Sequence, residues 1–130
     1  MLRLGYPVIG VADIDRAVAF WTSALDLAAT SEWASPDWRT LHHVDGSGRA
    51  LCLMRSGSPA EARPRIHLDL LVDTTAEQQA EVERLVGLGA SRVDWDSYPP
   101  EPDFVVLADP DGNLFCVVDL SRAPSGSAGR

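Results

Sequence analysis

The chain contains no lysine, so its 11 cationic side chains are all arginines, and 19 Asp and Glu residues outnumber them. The formal net charge is −8 and the pI is about 4.6. Such a charge repels phosphate backbones, which makes nucleic acid a poor partner. It slightly favours a cationic small molecule, although an acidic surface also serves solubility.

Cysteine is scarce as well: Cys52 and Cys116 are too few for a disulfide framework. The apolar runs are far shorter than the roughly 18 residues of a membrane span. Residues 1–7 lack the apolar core and the small-residue cleavage site of a secretion signal. We therefore expect no membrane association and a cytoplasmic location, where both thiols stay reduced.

Two catalytic signatures are missing. Gly46-Ser47-Gly48 is not followed by the helix and lysine of a phosphate-binding loop. The chain also has no Gly-x-Ser-x-Gly elbow of the kind that carries a nucleophilic serine. Neither nucleotide hydrolysis nor serine hydrolysis is indicated.

The chain does contain two similar halves. With 130 residues and 45% hydrophobic content it fits one domain, residues 1–120, followed by a Ser/Gly/Ala-rich tail at 121–130. Within the domain we place module one at about 4–55, a linker at 56–64 and module two at about 65–120. Strands are predicted at 7–12, 30–34, 38–44 and 50–55, then at 66–72, 91–95, 104–107 and 114–118.

Each half also contains one amphipathic helix. Asp13 is the predicted N-cap of the first, which has Trp21 on its buried face and ends near Leu27. The second starts at Thr74 or Thr75, either of which would form a capping box, and stops at a glycine near position 89. Both halves therefore follow the order β-α-β-β-β. An offset of 61 residues superimposes Val11 on Val72 and Tyr6 on His67, which indicates an internal duplication.

The second half closes with dense turn chemistry between two apolar runs. Asp109-Pro110-Asp111-Gly112-Asn113 separates Phe104–Leu107 from Leu114–Val118, which predicts a β-hairpin. This hairpin, together with segments 11–22 and 67–90, closely resembles the glyoxalase-like branch of the vicinal oxygen chelate superfamily. That superfamily includes glyoxalase I, extradiol dioxygenases and bleomycin resistance proteins.

The resemblance implies an α+β fold in which two βαβββ modules form a cupped mixed sheet. It also implies four metal-facing positions, which map to Tyr6, Met54, His67 and Cys116. Metal enzymes of the superfamily carry His, Glu or Gln there, and only His67 keeps such a group. A thioether such as that of Met54 is a poor ligand for Zn, Fe, Mn or Ni. We therefore predict no metal cofactor; the alternative is a divalent metal, Zn or Fe/Mn/Ni, held by His67 and Cys116.

His67 is the candidate catalytic base, because an imidazole titrates near neutral pH. Asp69 shares its strand face, but residues two apart on a strand lie about 6.6 Å from each other, which is too far for an easy direct bond. His42 and His43 point to opposite faces of their strand, so at most one enters the cup. The remaining aromatic candidates for an apolar pocket are Trp33, Trp38, Trp95, Tyr98 and Phe104.

The sequence thus predicts a glyoxalase-like protein that binds a small aromatic or apolar molecule without metal, for sequestration or metal-free catalysis. Whether it is an enzyme stays open. The alternatives are a metal-dependent lyase, isomerase or dioxygenase, and an interaction module whose cup is filled by apolar side chains. The resemblance also implies a homodimer. The predicted ligand-binding residues are Tyr6, Met54, His67, Cys116, Trp38, His42 and Phe104.

Overall fold

The structure, a computed structural model, describes residues 1–122. The chain divides into two compact units, Met1–Pro59 (unit 1) and Ala60–Arg130 (unit 2). Of the predicted tail, Ser121 and Arg122 are described, and residues 123–130 lie outside the described part. Among the described residues, no helix is long and apolar enough to cross a membrane.

Unit 1 is a four-stranded mixed sheet with one helix. Its strands run in the spatial order β1-β4-β3-β2. The first strand pairs in parallel with the last, and the other two pairings are antiparallel. In chain order the elements are β1 (Val8–Val11), α1 (Ile14–Leu25), β2 (Leu27–Ser35), β3 (Trp38–His43) and β4 (Arg49–Arg55).

Unit 2 repeats this topology. Its strands run in the order β5-β8-β7-β6, and the parallel pair again joins the first strand to the last. The elements are β5 (Leu68–Val72), α2 (Thr75–Leu88), β6 (Ser91–Arg92), β7 (Phe104–Ala108) and β8 (Leu114–Asp119). The predicted α+β class and the β-α-β-β-β order of both halves are confirmed.

The helices begin and end largely where local capping chemistry predicts. The Asp13 carboxylate accepts a hydrogen bond from the Arg16 amide, and the Thr74 hydroxyl accepts one from the Glu77 amide. Gly89 caps α2 with φ of 121°. The first helix ends two residues before the predicted Leu27, because Asp26 adopts a left-handed conformation as its C-cap.

Each unit buries its own apolar side chains. In unit 1, Phe20 and Trp21 of α1 meet edge to face with ring centroids 5.1 Å apart, and both are buried, as predicted for Trp21. In unit 2, Phe104, Val106, Cys116 and Val118 form a buried cluster on β7 and β8. Trp95 and Tyr98, from the segment before β7, pack against this cluster. The cluster forms one wall of the site described below.

The predicted closing hairpin is confirmed. Strands β7 and β8 pair antiparallel, and one carboxylate holds the turn between them. Asp109 Oδ1 accepts hydrogen bonds from the amides of Asp111 (2.9 Å) and Asn113 (2.8 Å). Gly112 has φ of 89°, a backbone conformation that a side chain would strain. This turn fixes where β8 starts, and therefore where Cys116 lies in the sheet.

Candidate functional site

A small apolar pocket opens in unit 2. Its volume is about 60 Å³, which is room for about two water molecules at about 30 Å³ each. Most of the lining is apolar. It also includes the thiol of Cys116, the imidazole of His67 and the indole of Trp95. The lining residues are Pro64, His67, Trp95, Phe104, Val106, Leu114, Phe115 and Cys116. Three predicted site residues, His67, Cys116 and Phe104, thus come together in one place.

His67 forms a hydrogen-bonded pair with Asp69. The distance from His67 Nε2 to Asp69 Oδ1 is 3.1 Å, and each side chain is 30% exposed. The expectation that these residues would be too far apart for a direct bond was wrong. It assumed that His67 lies within the pleated strand, whereas β5 begins at Leu68 and leaves His67 free to turn toward Asp69.

Strand pairing brings the Cys116 thiol to the same place. Asp69 on β5 is the register partner of Cys116 on β8. Side chains of paired residues point to the same face of a sheet, so the thiol lies beside the carboxylate. The ligand atoms of His67, Asp69 and Cys116 all lie within 4.8 Å of one another. Cys116 is 6% exposed, and the pocket borders it.

These three groups match the donors of a zinc site. Imidazole nitrogen, carboxylate oxygen and thiolate sulfur all bind zinc, and catalytic zinc keeps three protein ligands and one open position. Asp69 is a donor that the sequence analysis left out of the ligand set. The same groups also make a metal-free arrangement, in which the carboxylate holds the imidazole by a hydrogen bond next to a thiol. The positions of His67, Asp69 and Cys116 are compatible with a zinc site and with a metal-free hydrogen-bonded arrangement.

Trp95 lines the pocket, and the Arg63 guanidinium lies over its ring. The Arg63 guanidinium lies 5.4 Å from the centroid of the Trp95 ring. Arg63 in turn pairs with Asp96 and donates a hydrogen bond to Ser97 Oγ at 3.2 Å. The hydrogen bond from Arg63 lowers the pKa of the Asp96 carboxyl. Predicted strand 91–95 is shorter in the structure, because β6 ends at Arg92 and releases Trp95 from the sheet.

Tyr98 contacts two of the residues that line the pocket, Phe104 and Val106. Its ring lies 5.3 Å from that of Phe104, and its hydroxyl oxygen accepts a hydrogen bond from the Val106 amide at 2.7 Å. Burial raises the pKa of the Tyr98 phenol, so it stays neutral at physiological pH. Tyr98 therefore positions two lining residues without bordering the pocket itself.

The other predicted site residues, Tyr6, Met54, Trp38 and His42, belong to unit 1. His42 is half-buried: Nδ1 is 3.2 Å from Thr30 Oγ1, and Nε2 is 3.6 Å from Glu32. His43 is exposed. Trp38 donates a hydrogen bond from Nε1 to Thr40 Oγ1 at 3.0 Å.

The Arg49 side chain lies near Tyr6, Trp33 and Glu32. The Arg49 guanidinium lies 4.5 Å from the ring centroid of Trp33 and 5.7 Å from that of Tyr6, and it pairs with Glu32. The hydrogen bond from Arg49 lowers the pKa of Glu32. Trp33 is 55% exposed with φ of 56°, at an irregularity in the β2–β3 pairing. Whether these unit 1 residues contact a ligand stays a prediction.

The strand register corrects one assignment made from the repeat. Val8 pairs with Cys52 in unit 1, and Asp69 pairs with Cys116 in unit 2. Val8 and Asp69 are 61 positions apart, the repeat offset. Cys52 is therefore the counterpart of Cys116. The register thus places Cys52, rather than Met54, opposite Cys116 in the repeat; Met54 is 44% exposed, and whether it contacts a ligand stays a prediction.

Comparison with known proteins identifies the family. A family model described as a glyoxalase-like domain matches residues 7–118. The chain therefore belongs to the glyoxalase-like domain family, and the resemblance inferred from its motifs is confirmed. A search of curated proteins finds no match.

Solved structures of the superfamily share the fold at low sequence identity. A glyoxalase/bleomycin resistance protein/dioxygenase family enzyme from Burkholderia phytofirmans is 20% identical, with a TM-score of 0.66 over 88% of this chain and 96% of that one. A glyoxalase-related enzyme from Fulvimarina pelagi is 19% identical, with a TM-score of 0.68 over 100% and 96%. The fosfomycin resistance protein FosX from Listeria monocytogenes, solved with Mn(II) and sulfate, is 19% identical, with a TM-score of 0.67 over 92% and 93%.

Proposed function

We propose that this protein binds a small, largely apolar molecule in the pocket of unit 2 and does so without a metal ion. The observation that carries the proposal is an open apolar pocket on which His67 and Cys116 converge. A few polar groups in an apolar concavity are typical of ligand sites. An interaction module with a vestigial cup would have filled this space with side chains.

The pocket limits the size of what enters it. Its 60 Å³ is less than half of the roughly 150 Å³ of a dry cavity that binds benzene. The part of the ligand that unit 2 surrounds is therefore smaller than a benzene ring. The aromatic ligand expected from the sequence would have to place its ring outside this pocket.

His67 is the residue we assign as proton acceptor, if the bound molecule is also transformed. Asp69 holds its imidazole at 3.1 Å, and the imidazole borders the pocket where a ligand atom would lie. A general base needs that combination of orientation and reach. The homodimer and the cytoplasmic location expected from the sequence stay predictions.

A second candidate is favoured by the close approach of His67, Asp69 and Cys116. These residues would hold a zinc ion with one position open, which makes a metal-dependent lyase, isomerase or dioxygenase the alternative. A bound metal would supply a Lewis acid to a ligand oxygen. In that case Asp69 would be a ligand rather than the group that orients His67.

Metal content separates the two candidates. Protein purified without chelators or a His-tag is measured by inductively coupled plasma mass spectrometry, as wild type, His67→Ala and His43→Ala. We expect no stoichiometric metal in any of the three. Near-stoichiometric metal that disappears in His67→Ala, and persists in the exposed control His43→Ala, would overturn the metal-free proposal in favour of the second candidate.

A further inference from the structure

The two units carry a cysteine at the same position of their sheets, but with different neighbours. Cys52 pairs with Val8 in unit 1, and Cys116 pairs with Asp69 in unit 2. A ring nitrogen of His67 and a carboxylate oxygen of Asp69 both lie within 4.8 Å of the Cys116 sulfur. The thiol of unit 2 thus lies beside an imidazole and a carboxylate, whereas that of unit 1 has a valine as its register partner.

The imidazole of His67 is arranged to act as a base. Its Nε2 donates a hydrogen bond to Asp69 Oδ1 at 3.1 Å, which leaves Nδ1 as the acceptor in the neutral ring. A nucleophile, an adjacent base and a third group that orients the base are the parts that activate a catalytic cysteine. The separation of up to 4.8 Å between base and thiol is wider than a hydrogen bond, and such contacts commonly tighten when a ligand binds.

The pocket decides which molecules can reach the sulfur. Cys116 and His67 both line it, and Cys116 is not part of a disulfide. The volume of about 60 Å³ and the mostly apolar lining admit a group smaller than a benzene ring. The carboxylate of Asp69 and the net charge of −8 repel anions. A reaction partner of Cys116 is therefore small and neutral.

The chemistry of the three groups narrows the partner further. A thiol is a soft nucleophile, and it adds readily to a carbon–carbon double bond that a carbonyl group polarises. This addition releases no leaving group and needs no oxidant or cofactor. It requires a base that takes one proton and returns it, which is the role that the Asp69-oriented imidazole can fill.

We propose that Cys116 adds covalently to small, neutral α,β-unsaturated carbonyl compounds, with His67 as the base. The imidazole takes the thiol proton, and Sγ bonds to the β-carbon of the ligand. The π electrons of the double bond move toward the carbonyl group, and the α-carbon then takes the proton back from the imidazolium. This inference rests on the proposed function, since it states how the same pocket holds its ligand, and it makes that function sequestration by a covalent bond.

The test compares folded and unfolded wild-type protein. Methyl vinyl ketone is added for timed intervals, and peptide mass spectrometry locates the adducts; the chain has no lysine to compete. Burial alone can only slow a thiol, so a faster reaction in the folded state reports activation. We expect Cys116 to react at least roughly 10-fold faster in the folded protein than in urea, because general base catalysis outweighs its burial. An equal or slower reaction in the folded protein overturns the inference.

Variants test the base. His67→Ala should lower the folded-state rate at Cys116 roughly 100-fold, and imidazole added to the buffer should restore part of it, which a purely structural defect would not allow. His43→Ala, a change at an exposed histidine, is the matched control and should react as wild type does. A wild-type rate in His67→Ala would overturn the role of His67.

A saturated analogue separates this inference from the proposed function. 2-Butanone has nearly the shape of methyl vinyl ketone but cannot be attacked in this way. We expect it to shift the methyl NMR signals of Val106 and Leu114, which line the pocket, in wild type and in His67→Ala. If it does so while Cys116 shows no activation, the covalent step is overturned and the pocket stands. If the methyl signals do not move, the proposed function is overturned, and this inference with it.

Discussion

The Nε2 atom of His67 and the Oδ1 atom of Asp69 are 3.1 Å apart, although only Leu68 separates the two residues in the chain. A carboxylate has no proton to give, so the imidazole must be the donor in this bond. The bond therefore selects the tautomer with its proton on Nε2 and leaves Nδ1 as an acceptor. In the neutral imidazole, Nδ1 is therefore the nitrogen that can accept a proton from a ligand.

We predict that this tautomer dominates in the neutral wild-type protein and is lost in Asp69→Ala. Long-range ¹H–¹⁵N correlation spectra distinguish the two ring nitrogens directly. His43 is exposed and provides an internal control, whose tautomer ratio should stay the same in both proteins. An unchanged His67 ratio in Asp69→Ala would contradict an orienting role for the carboxylate.

The two thiols should differ in reactivity. Cys116 borders the pocket, whereas Cys52 is fully buried and burial raises the pKa of its thiol. Alkylation requires access of the reagent to the sulfur, and the pocket offers that access at Cys116 and not at Cys52. We predict that iodoacetamide modifies Cys116 at least several-fold faster in the native protein, as measured by peptide mass spectrometry.

Two further proteins check that assignment. Cys116→Ser should lose the fast reaction, and Cys52→Ser should keep it. In denaturant the two thiols of the wild-type protein should react at similar rates, because burial no longer separates them. Faster labelling of Cys52 in the folded protein would refute the prediction.

Asp119 should make stability depend on pH. Its carboxylate accepts hydrogen bonds from the Ser121 hydroxyl (2.6 Å) and amide (2.9 Å) and from the Thr75 hydroxyl. The Ser121 and Thr75 bonds lower the pKa of Asp119. A carboxyl whose folded pKa is below its unfolded value of about 3.9 stabilises the fold above that pH, and this contribution is lost as the pH falls through the folded pKa.

Asp119→Asn should therefore be less stable than wild type at pH 7, and the difference should shrink below about pH 4. Urea midpoints at pH 7, 5 and 3 measure this effect. Glu83→Gln, a change at an exposed residue of α2, should follow the wild-type pH profile. A difference that stays constant or grows toward pH 3 would argue against the linkage.

Leu107 tests the packing of unit 2. It is fully buried on β7, and truncation to alanine should cost about 2–5 kcal/mol of unfolding free energy. Leu71 of the same unit is 62% exposed, so Leu71→Ala should change the unfolding free energy by no more than about 0.5 kcal/mol. Urea denaturation followed by circular dichroism compares them. Equal losses would mean that the burial assigned to β7 is wrong.

Features set by nearby residues were predictable from the sequence. Asp13 and Thr74 begin helices, and the turn at Asp109 closes the hairpin, because each acts on backbone groups within a few positions. The internal repeat was also predictable, because both halves keep the same order of local strand and helix patterns. Together these signals were enough to assign the fold and the family.

The site itself depends on distant parts of the chain. Cys52 rather than Met54 corresponds to Cys116, because strand pairing sets the register and a periodic pattern does not report it. Asp69 was placed too far from His67 because the exact start of β5 decides the distance. Trp95 was among the candidate aromatics, but only the structure shows that its N–H is buried without a partner.

Joining the first strand of each unit to its last has a consequence for biosynthesis. Strand β1 completes its sheet as soon as residues 49–55 have been made, whereas β5 must wait for residues 114–119. Domains generally fold as units from the N-terminus during synthesis, so unit 1 can close first. Strand β5 waits longest, with an unpaired edge exposed to other nascent chains. A ribosome pause before residue 114 would therefore prolong the time for which β5 lacks its pairing partner.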